Sequence, residues 1–153
     1  MTAPVISIVI PTFNRGYLIK ETVKNVLVQS YENFEIIIID NASTDNTEEI
    51  ISEFLFDKRV TFIKTPVNKE RSYSRNIGME KAKGDFVTFL DSDDFMYQDA
   101  LLDAINFIKE NPSILFFHNK YEFVNNLKER VYLPSYPSLK NQYKAISSGN
   151  FIS

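Results

Sequence analysis

Short apolar runs alternate with amphipathic segments from Val5 to Phe117. Val5-Ile6-Ser7-Ile8-Val9-Ile10 is rich in β-branched residues and ends at Pro11, the pattern of a strand buried on both faces. Tyr17 to Ser30 places Leu18, Ile19, Val23, Val26 and Leu27 on one helical face, with Lys20, Glu21 and Lys24 opposite. Phe34 to Ile39 predicts a second buried strand, with Asp40 directly behind it. Asp45 and Glu48, spaced as a capping box, precede Ile50, Ile51 and Phe54 and predict the next helix. Val60 to Ile63 predicts a third strand. Ser72 to Ala82 predicts a helix with Gly84 as its C-terminal cap. Phe86 to Leu90 predicts a fourth strand, followed at once by Asp91-Ser92-Asp93-Asp94. Asp99 to Glu110 is helical, with Leu101, Leu102, Ile105 and Ile108 inward and Pro112 as the stop. Ile114 to Phe117 predicts a fifth strand. Past Asn119 the pattern weakens: Tyr121 to Val124 and Val131 to Leu133 read as a hairpin or as extra strands, and Pro134 and Pro137 break the chain beyond them.

Strands alternating with helices over short connections imply an α/β fold with a mostly parallel sheet flanked by helices on both faces. Ligands of such sheets bind beyond the carboxyl ends of the strands. The unusual polar clusters all follow strand ends: Thr12-Phe13-Asn14-Arg15, Asp40-Asn41-Ala42-Ser43 and Asp91-Ser92-Asp93-Asp94. Three loops distant in the chain therefore converge on one rim. No internal repeat, low-complexity tract or linker interrupts the chain.

Composition narrows the chemistry. At 153 residues, 44% hydrophobic and 14% aromatic, the chain is long and apolar enough for one real core. A net charge of −3 gives no global field for nucleic acid, so an anionic ligand must be held locally. The chain has no cysteine, which excludes disulfides, thiolate metal sites and cysteine nucleophiles. Neither a transmembrane-length apolar run nor a signal-peptide pattern is present. That reading places the chain in the cytoplasm, with peripheral association at the inner face of the membrane as the remaining option.

Asp91, Asp93 and Asp94 crowd one turn, where like charges are stable only if solvated, protonated or bound to a cation. Oxygen ligands at an open site suit Mg²⁺ or Mn²⁺. The competing role is turn formation and helix capping, which fits Asp94 best, while Asp91 and Asp93 are the candidate metal pair. Asn41 offers a carbonyl oxygen beside an NH₂, complementary to the imide edge of uracil or thymine. A plain turn ahead of a helix is the alternative. Arg71 and Arg75, four apart after Lys69, suit a diphosphate at a helix start. For Arg71 a solvated charged face is an equal reading, whereas Arg75 adjoins Asn76 and Gly78, where a close backbone approach is available. His118, the single histidine, is a structural residue rather than a metal ligand. Neither a calcium-loop pattern nor Gly-x-Gly-x-x-Gly nor a P-loop occurs, which removes dinucleotide redox chemistry and P-loop phosphoryl transfer.

Taken together, Ser7-Ile8-Val9-Ile10-Pro11-Thr12-Phe13-Asn14-Arg15, Phe34 to Asp45, Ser74-Arg75-Asn76-Ile77-Gly78, Ala82-Lys83-Gly84-Asp85-Phe86 and Phe89-Leu90-Asp91-Ser92-Asp93-Asp94 resemble glycosyltransferase family 2. The resemblance implies a Rossmann-like GT-A fold and inverting transfer from a UDP- or dTDP-sugar to a glycan or lipid-linked acceptor, as in polysaccharide or cell-envelope glycan synthesis. It implies that Pro11, Thr12, Asn14 and Arg15 line the nucleoside pocket, and that Asp40 and Asn41 contact the base. Arg75 would lie near the base or diphosphate. Asp91, Ser92 and Asp93 would form the DXD motif, with Asp91 towards the ribose and Asp93 towards a Mg²⁺ or Mn²⁺ ion. Many members carry a second Asp where Asn41 stands. Members also run further and carry a later carboxylate that deprotonates the acceptor, whereas no carboxylate follows Glu129 here. The expectation is a C-terminally truncated GT-A fold: residues 1–118 as the nucleotide-sugar-binding domain, residues 119–153 as an incomplete acceptor-side region, and no catalytic base. A non-catalytic binding or interaction module is the alternative function.

Overall fold

The computed structural model describes residues 6–117, 122–125 and 129–132. It divides into two compact units, residues 1–111 and 112–153. In the first, β1 (Ile6–Thr12), β2 (Phe34–Asp40), β3 (Val60–Lys64) and β4 (Phe86–Phe89) form one sheet in the order β3-β2-β1-β4. All its pairings are parallel. Helices α1 (Gly16–Leu27), α2 (Thr47–Ser52), α3 (Arg71–Lys81) and α4 (Ala100–Glu110) connect or follow the strands. The mostly parallel α/β architecture predicted from the sequence is thus formed.

The alternation of each strand divides the core. Ile8, Ile10, Ile36 and Ile38 pack with Ile19, Val23 and Val26 of α1 and with Leu101 and Ile105 of α4. Val9, Ile37 and Ile39 pack on the other face against Ile77 and Ala82. These strand residues are essentially inaccessible, and each such side chain contributes about 1.5–3 kcal/mol of burial. Leu102, expected inward, is 37% exposed. Leu101 and Ile105, four apart, already fill that helix face, and Leu102 lies about 100° around from Leu101.

Polar residues fix three joints that the hydrophobic pattern does not reveal. Ser7 and Glu35 are register partners, both buried. The Ser7 hydroxyl donates to Glu35 Oε1 at 2.7 Å and accepts from Gly84 N at 2.8 Å. Lys83 N also donates to Glu35. Gly84 is therefore not the cap of α3, which ends at Ala82 in an extended conformation. A Cβ on Gly84 would stand 2.7 Å from Ser7 N, so glycine serves a close backbone approach instead. Asp45 does not complete a capping box with Glu48. Its carboxylate accepts from Thr47 N at 3.0 Å and from Gly16 N at 3.3 Å, serving the starts of both α2 and α1. Glu48 instead reaches Lys64 at 2.7 Å.

The second unit contains an antiparallel pair, β5 (Phe123–Val124) and β6 (Arg130–Tyr132). The Phe123 and Tyr132 rings lie 5.7 Å apart, and Arg130 pairs with Glu122. This is the hairpin reading of that region. The expected fifth strand is not formed: residues 114–117 carry no strand, and Leu115 is 97% exposed. Its apolar run has strand propensity, but propensity alone does not pair a strand. His118, Tyr121, Leu133, Pro134 and Pro137 lie outside the described residues.

Candidate nucleotide-binding cleft

Register brings the polar loops together. Thr12 pairs with Asp40 and Asp40 with Lys64, while Leu90 N reaches Val9 O at 3.0 Å. The carboxyl ends of β1, β2 and β4 thus open on one rim, and a cleft of about 850 Å³ lies there. Asp91, Ser92 and Asp93 line it together with Pro11, Thr12, Arg15 and Asn41. Seven of the predicted site residues are therefore gathered around one space.

Asn14, Asp40 and Arg75 stand behind that lining rather than in it. Asn14 adopts a left-handed backbone, φ 50°, a conformation asparagine tolerates. Its N–H donates to Ser43 Oγ and its Oδ1 accepts from Thr44 N, each at 2.8 Å, tying the loop after β1 to the loop after β2. Asp40 is fully buried and its Oδ1 accepts from the backbone N–H and the hydroxyl of Ser43. Its other oxygen has no hydrogen bond, with Lys64 Nζ 4.0 Å away. Arg75 donates to Asp91 at 2.7 Å, and its guanidinium lies 5.8 Å from the Phe89 ring centre.

Asn41 is engaged on both ends of its amide. Its Oδ1 accepts from Lys69 N at 2.9 Å and its Nδ2 donates to Lys69 O at 2.5 Å. Backbone polarity leaves one orientation for that amide, because a backbone N–H can only donate and a carbonyl can only accept. The same Nδ2 also lies 3.1 Å from Asn68, so the Asn68 atom it meets must be the acceptor Oδ1. Asn68 is thereby oriented too, with its NH₂ left to offer donors in the cleft that it lines.

Sequence reasoning singles out Lys69 and Arg71 and misses Asn68, Tyr73 and Ser74, all of which line the cleft. Lys69 Nζ sits 4.2 Å from the Tyr73 ring centre. Ser74 is fully buried, and among the described residues neither its Oγ nor Thr12 Oγ1 has a hydrogen-bond partner. Buried hydroxyls are normally satisfied, so this pair stands out in the wall of the cleft, although neither oxygen is itself accessible from it. No sequence signal distinguishes Ser74, because its inward aim follows from the seating of α3.

Two guanidinium groups meet the acidic turn. Arg15 Nη1 lies 3.0 Å from Asp93 Oδ2, and Arg75 holds Asp91. Asp94 remains outside these pairs. Partial burial, then the charges of Asp91 and Asp93, raise its pKa. Among the described residues no cluster of three or more His, Cys, Asp or Glu side chains is placed to hold a metal by itself.

Residues 7–152 match the family described as glycosyl transferase family 2. The chain belongs to that family. An uncharacterised glycosyltransferase of Haemophilus influenzae is 40% identical over 98% of this chain and 60% of its own length. The Escherichia coli enzyme WfgD, a UDP-Glc:α-D-GlcNAc-diphosphoundecaprenol β-1,3-glucosyltransferase, is 34% identical over 79% of this chain and 47% of its own. Among solved structures, residues 1–349 of Staphylococcus aureus TarS superpose with TM-score 0.68 at 30% identity, over 71% of this chain and 33% of that one. TarS has also been solved with UDP and with UDP-GlcNAc. The family-2 chain thus has the GT-A fold, with relatives in cell-envelope glycan synthesis, and it spans 60% or less of the length of these relatives. No helix among its described residues is long and apolar enough to cross a membrane.

Proposed function

We propose that the cleft binds the nucleoside diphosphate of a UDP- or dTDP-sugar. On this proposal the whole protein transfers that sugar, with inversion, to a glycan or lipid-linked acceptor in envelope glycan synthesis. The observation that carries the reading is the gathering of Arg15, Asn41, Asn68, Asp91 and Asp93 around one cleft beyond the carboxyl ends of the strands. The Asn68 NH₂ supplies donors for the ring carbonyls that uracil and thymine share. Asn41 supports this role by orienting Asn68 and by holding the backbone at Lys69. The likeness to WfgD and to TarS in complex with UDP-GlcNAc supports the donor class.

The acidic turn suits Mg²⁺ or Mn²⁺. Both carboxylates border the cleft and both already hold positive charge in the form of a guanidinium. One or two carboxylates, completed by phosphate oxygens and water, are the usual surroundings of Mg²⁺. Asp93, with Asp91, would hold the ion, whose charge would offset that gathering on a departing diphosphate. Arg75 keeps Asp91 in place from α3. No residue of this chain is given the role of catalytic base.

Calorimetry with UDP, dTDP and GDP, each with and without Mn²⁺, tests the reading. The expected result is saturable, metal-dependent binding of a pyrimidine diphosphate whose metal dependence is lost in Asp93→Ala. No saturable binding of any nucleotide would refute it. Binding without transfer by the whole protein would favour a non-catalytic module.

A further inference from the structure

We infer that Arg15 is an exchangeable cation: it neutralises Asp93 while the cleft is empty, gives way to the divalent ion, and is taken up by the donor's diphosphate. This rests on the nucleotide-sugar reading above. The two arginine–aspartate pairs differ in how firmly each arginine is held.

Arg75 is held twice. Its guanidinium bonds Asp91 at 2.7 Å and lies near the Phe89 ring, and its helix is seated on the sheet through Val9 and Gly78. Arg15 is anchored by backbone alone. Its N–H donates to Thr47 Oγ1 at 3.3 Å, and its carbonyl accepts from Leu18 N and Ile19 N, both at 2.9 Å. Among the described residues its side chain, 40% exposed, has one ion-pair partner, Asp93, itself 43% exposed. Both border the cleft. A half-exposed pair of this kind contributes at most about a fivefold preference for the paired state. A divalent ion can overcome that preference. The guanidinium and the ion cannot both occupy the same carboxylate oxygen, so metal entry at Asp93 releases Arg15. A diphosphate in the cleft then offers the freed fork a bidentate partner. Bare metal thus binds against Arg15, whereas metal with nucleotide does not. Nucleotide and metal each strengthen the other's binding through the fate of one side chain.

The test is Mn²⁺ titration followed by electron paramagnetic resonance of the free ion, without nucleotide and with saturating UDP. Arg15→Gln is expected to bind bare Mn²⁺ about three- to fivefold more tightly than the parent. The enhancement that UDP adds should shrink in that variant. Lys20→Gln, which removes one positive charge elsewhere on α1, should match the parent. A second measurement works on the unaltered protein: Mg²⁺ addition should shift the guanidinium ¹⁵N resonances of Arg15 more than those of Arg75, whose pair with Asp91 is kept. Equal bare-metal affinity in parent and Arg15→Gln overturns the exchange, as does an equal gain in Lys20→Gln. Absence of Mn²⁺ binding in both, or Arg15 resonances that do not respond to Mg²⁺, overturns it as well. Metal-dependent UDP binding with no Arg15→Gln effect sinks the exchange alone. The reverse pattern, an Arg15→Gln gain with no nucleotide binding, sinks the nucleotide-sugar reading and, with it, the second half of the exchange.

Discussion

Gly78→Ala tests whether the seating of α3 on β1 sets the cleft. A Cβ at Gly78 would lie 2.2 Å from Val9 Cγ1 and 2.9 Å from Cγ2. Carbon contacts settle near about 3.5 Å, so roughly 1.3 Å of movement is needed. Val9 is fully buried in a strand paired on both sides, which leaves α3 as the part that yields. Overpacking of this kind costs about 3 kcal/mol at its upper end, and alanine returns about 1 kcal/mol of helix propensity. The net loss is about 2 kcal/mol, or roughly 8 °C in Tm for a chain of this size. The same displacement would stretch the 2.7 Å Arg75–Asp91 pair to the limit of an ion pair, so nucleotide binding should weaken alongside stability. Urea unfolding and UDP calorimetry measure the two effects. Val9→Ala removes the obstructing methyls, so the double variant should recover more than about 1 kcal/mol relative to the sum of the singles. A Gly78→Ala protein as stable as the parent, or a strictly additive double variant, would refute the reasoning.

Ala42 has φ 62°, a left-handed conformation that penalises any Cβ, so Ala42→Gly should stabilise the fold by about 0.5–1 kcal/mol in urea unfolding. Asn41→Asp replaces the donor to Lys69 O with an acceptor, placing a carboxylate against a carbonyl. Faster amide hydrogen exchange over residues 66–71 should report the released loop, together with weaker nucleotide binding. The Asp57 pKa is lowered, chiefly by the side-chain hydrogen bond from Arg59. A folded value below the unfolded one means the stabilisation is present above pH 3.8 and disappears as pH falls through the folded value. Asp57→Asn should therefore flatten the acid limb of the stability–pH curve, read by denaturation at a series of pH values.

The sheet was legible because β1 and β2 are runs of β-branched residues too short and too uniformly apolar for exposed helices. The rim was legible because polar clusters stand directly behind those runs. Apart from Leu102, which a neighbour on its own helix displaces, the failures came from contacts between distant segments. Gly84 reads as a helix cap until Ser7 is known to lie against it. Asp45 reads as half of a local box until Gly16 approaches from another loop. Ile114 to Phe117 has the composition of a strand, yet strands exist only as pairs, and pairing is not written in one segment. Asn41 reads in the sequence as a lone amide beside the rim, and the structure adds its bonds to Asn68 and Lys69, which line the same cleft. Ser74 was invisible because nothing in Ser-Tyr-Ser-Arg says which hydroxyl is buried.

The two margins of the sheet are unequally defended. On β3, the outer strand on one side, Lys64 places a charge at the edge, joined to Glu48. On the opposite margin Phe86-Val87-Thr88-Phe89 carries no charge, has no neighbouring strand among the described residues, and leaves Val87 and Phe89 about 40% accessible. Unpaired backbone beside apolar side chains is a template for a foreign strand. Asp85 and Asp91 flank it as gatekeepers, and they act by charge. Salt that screens those flanking charges should therefore bring molecules together along this margin first, so self-association of the chain in solution should begin at β4.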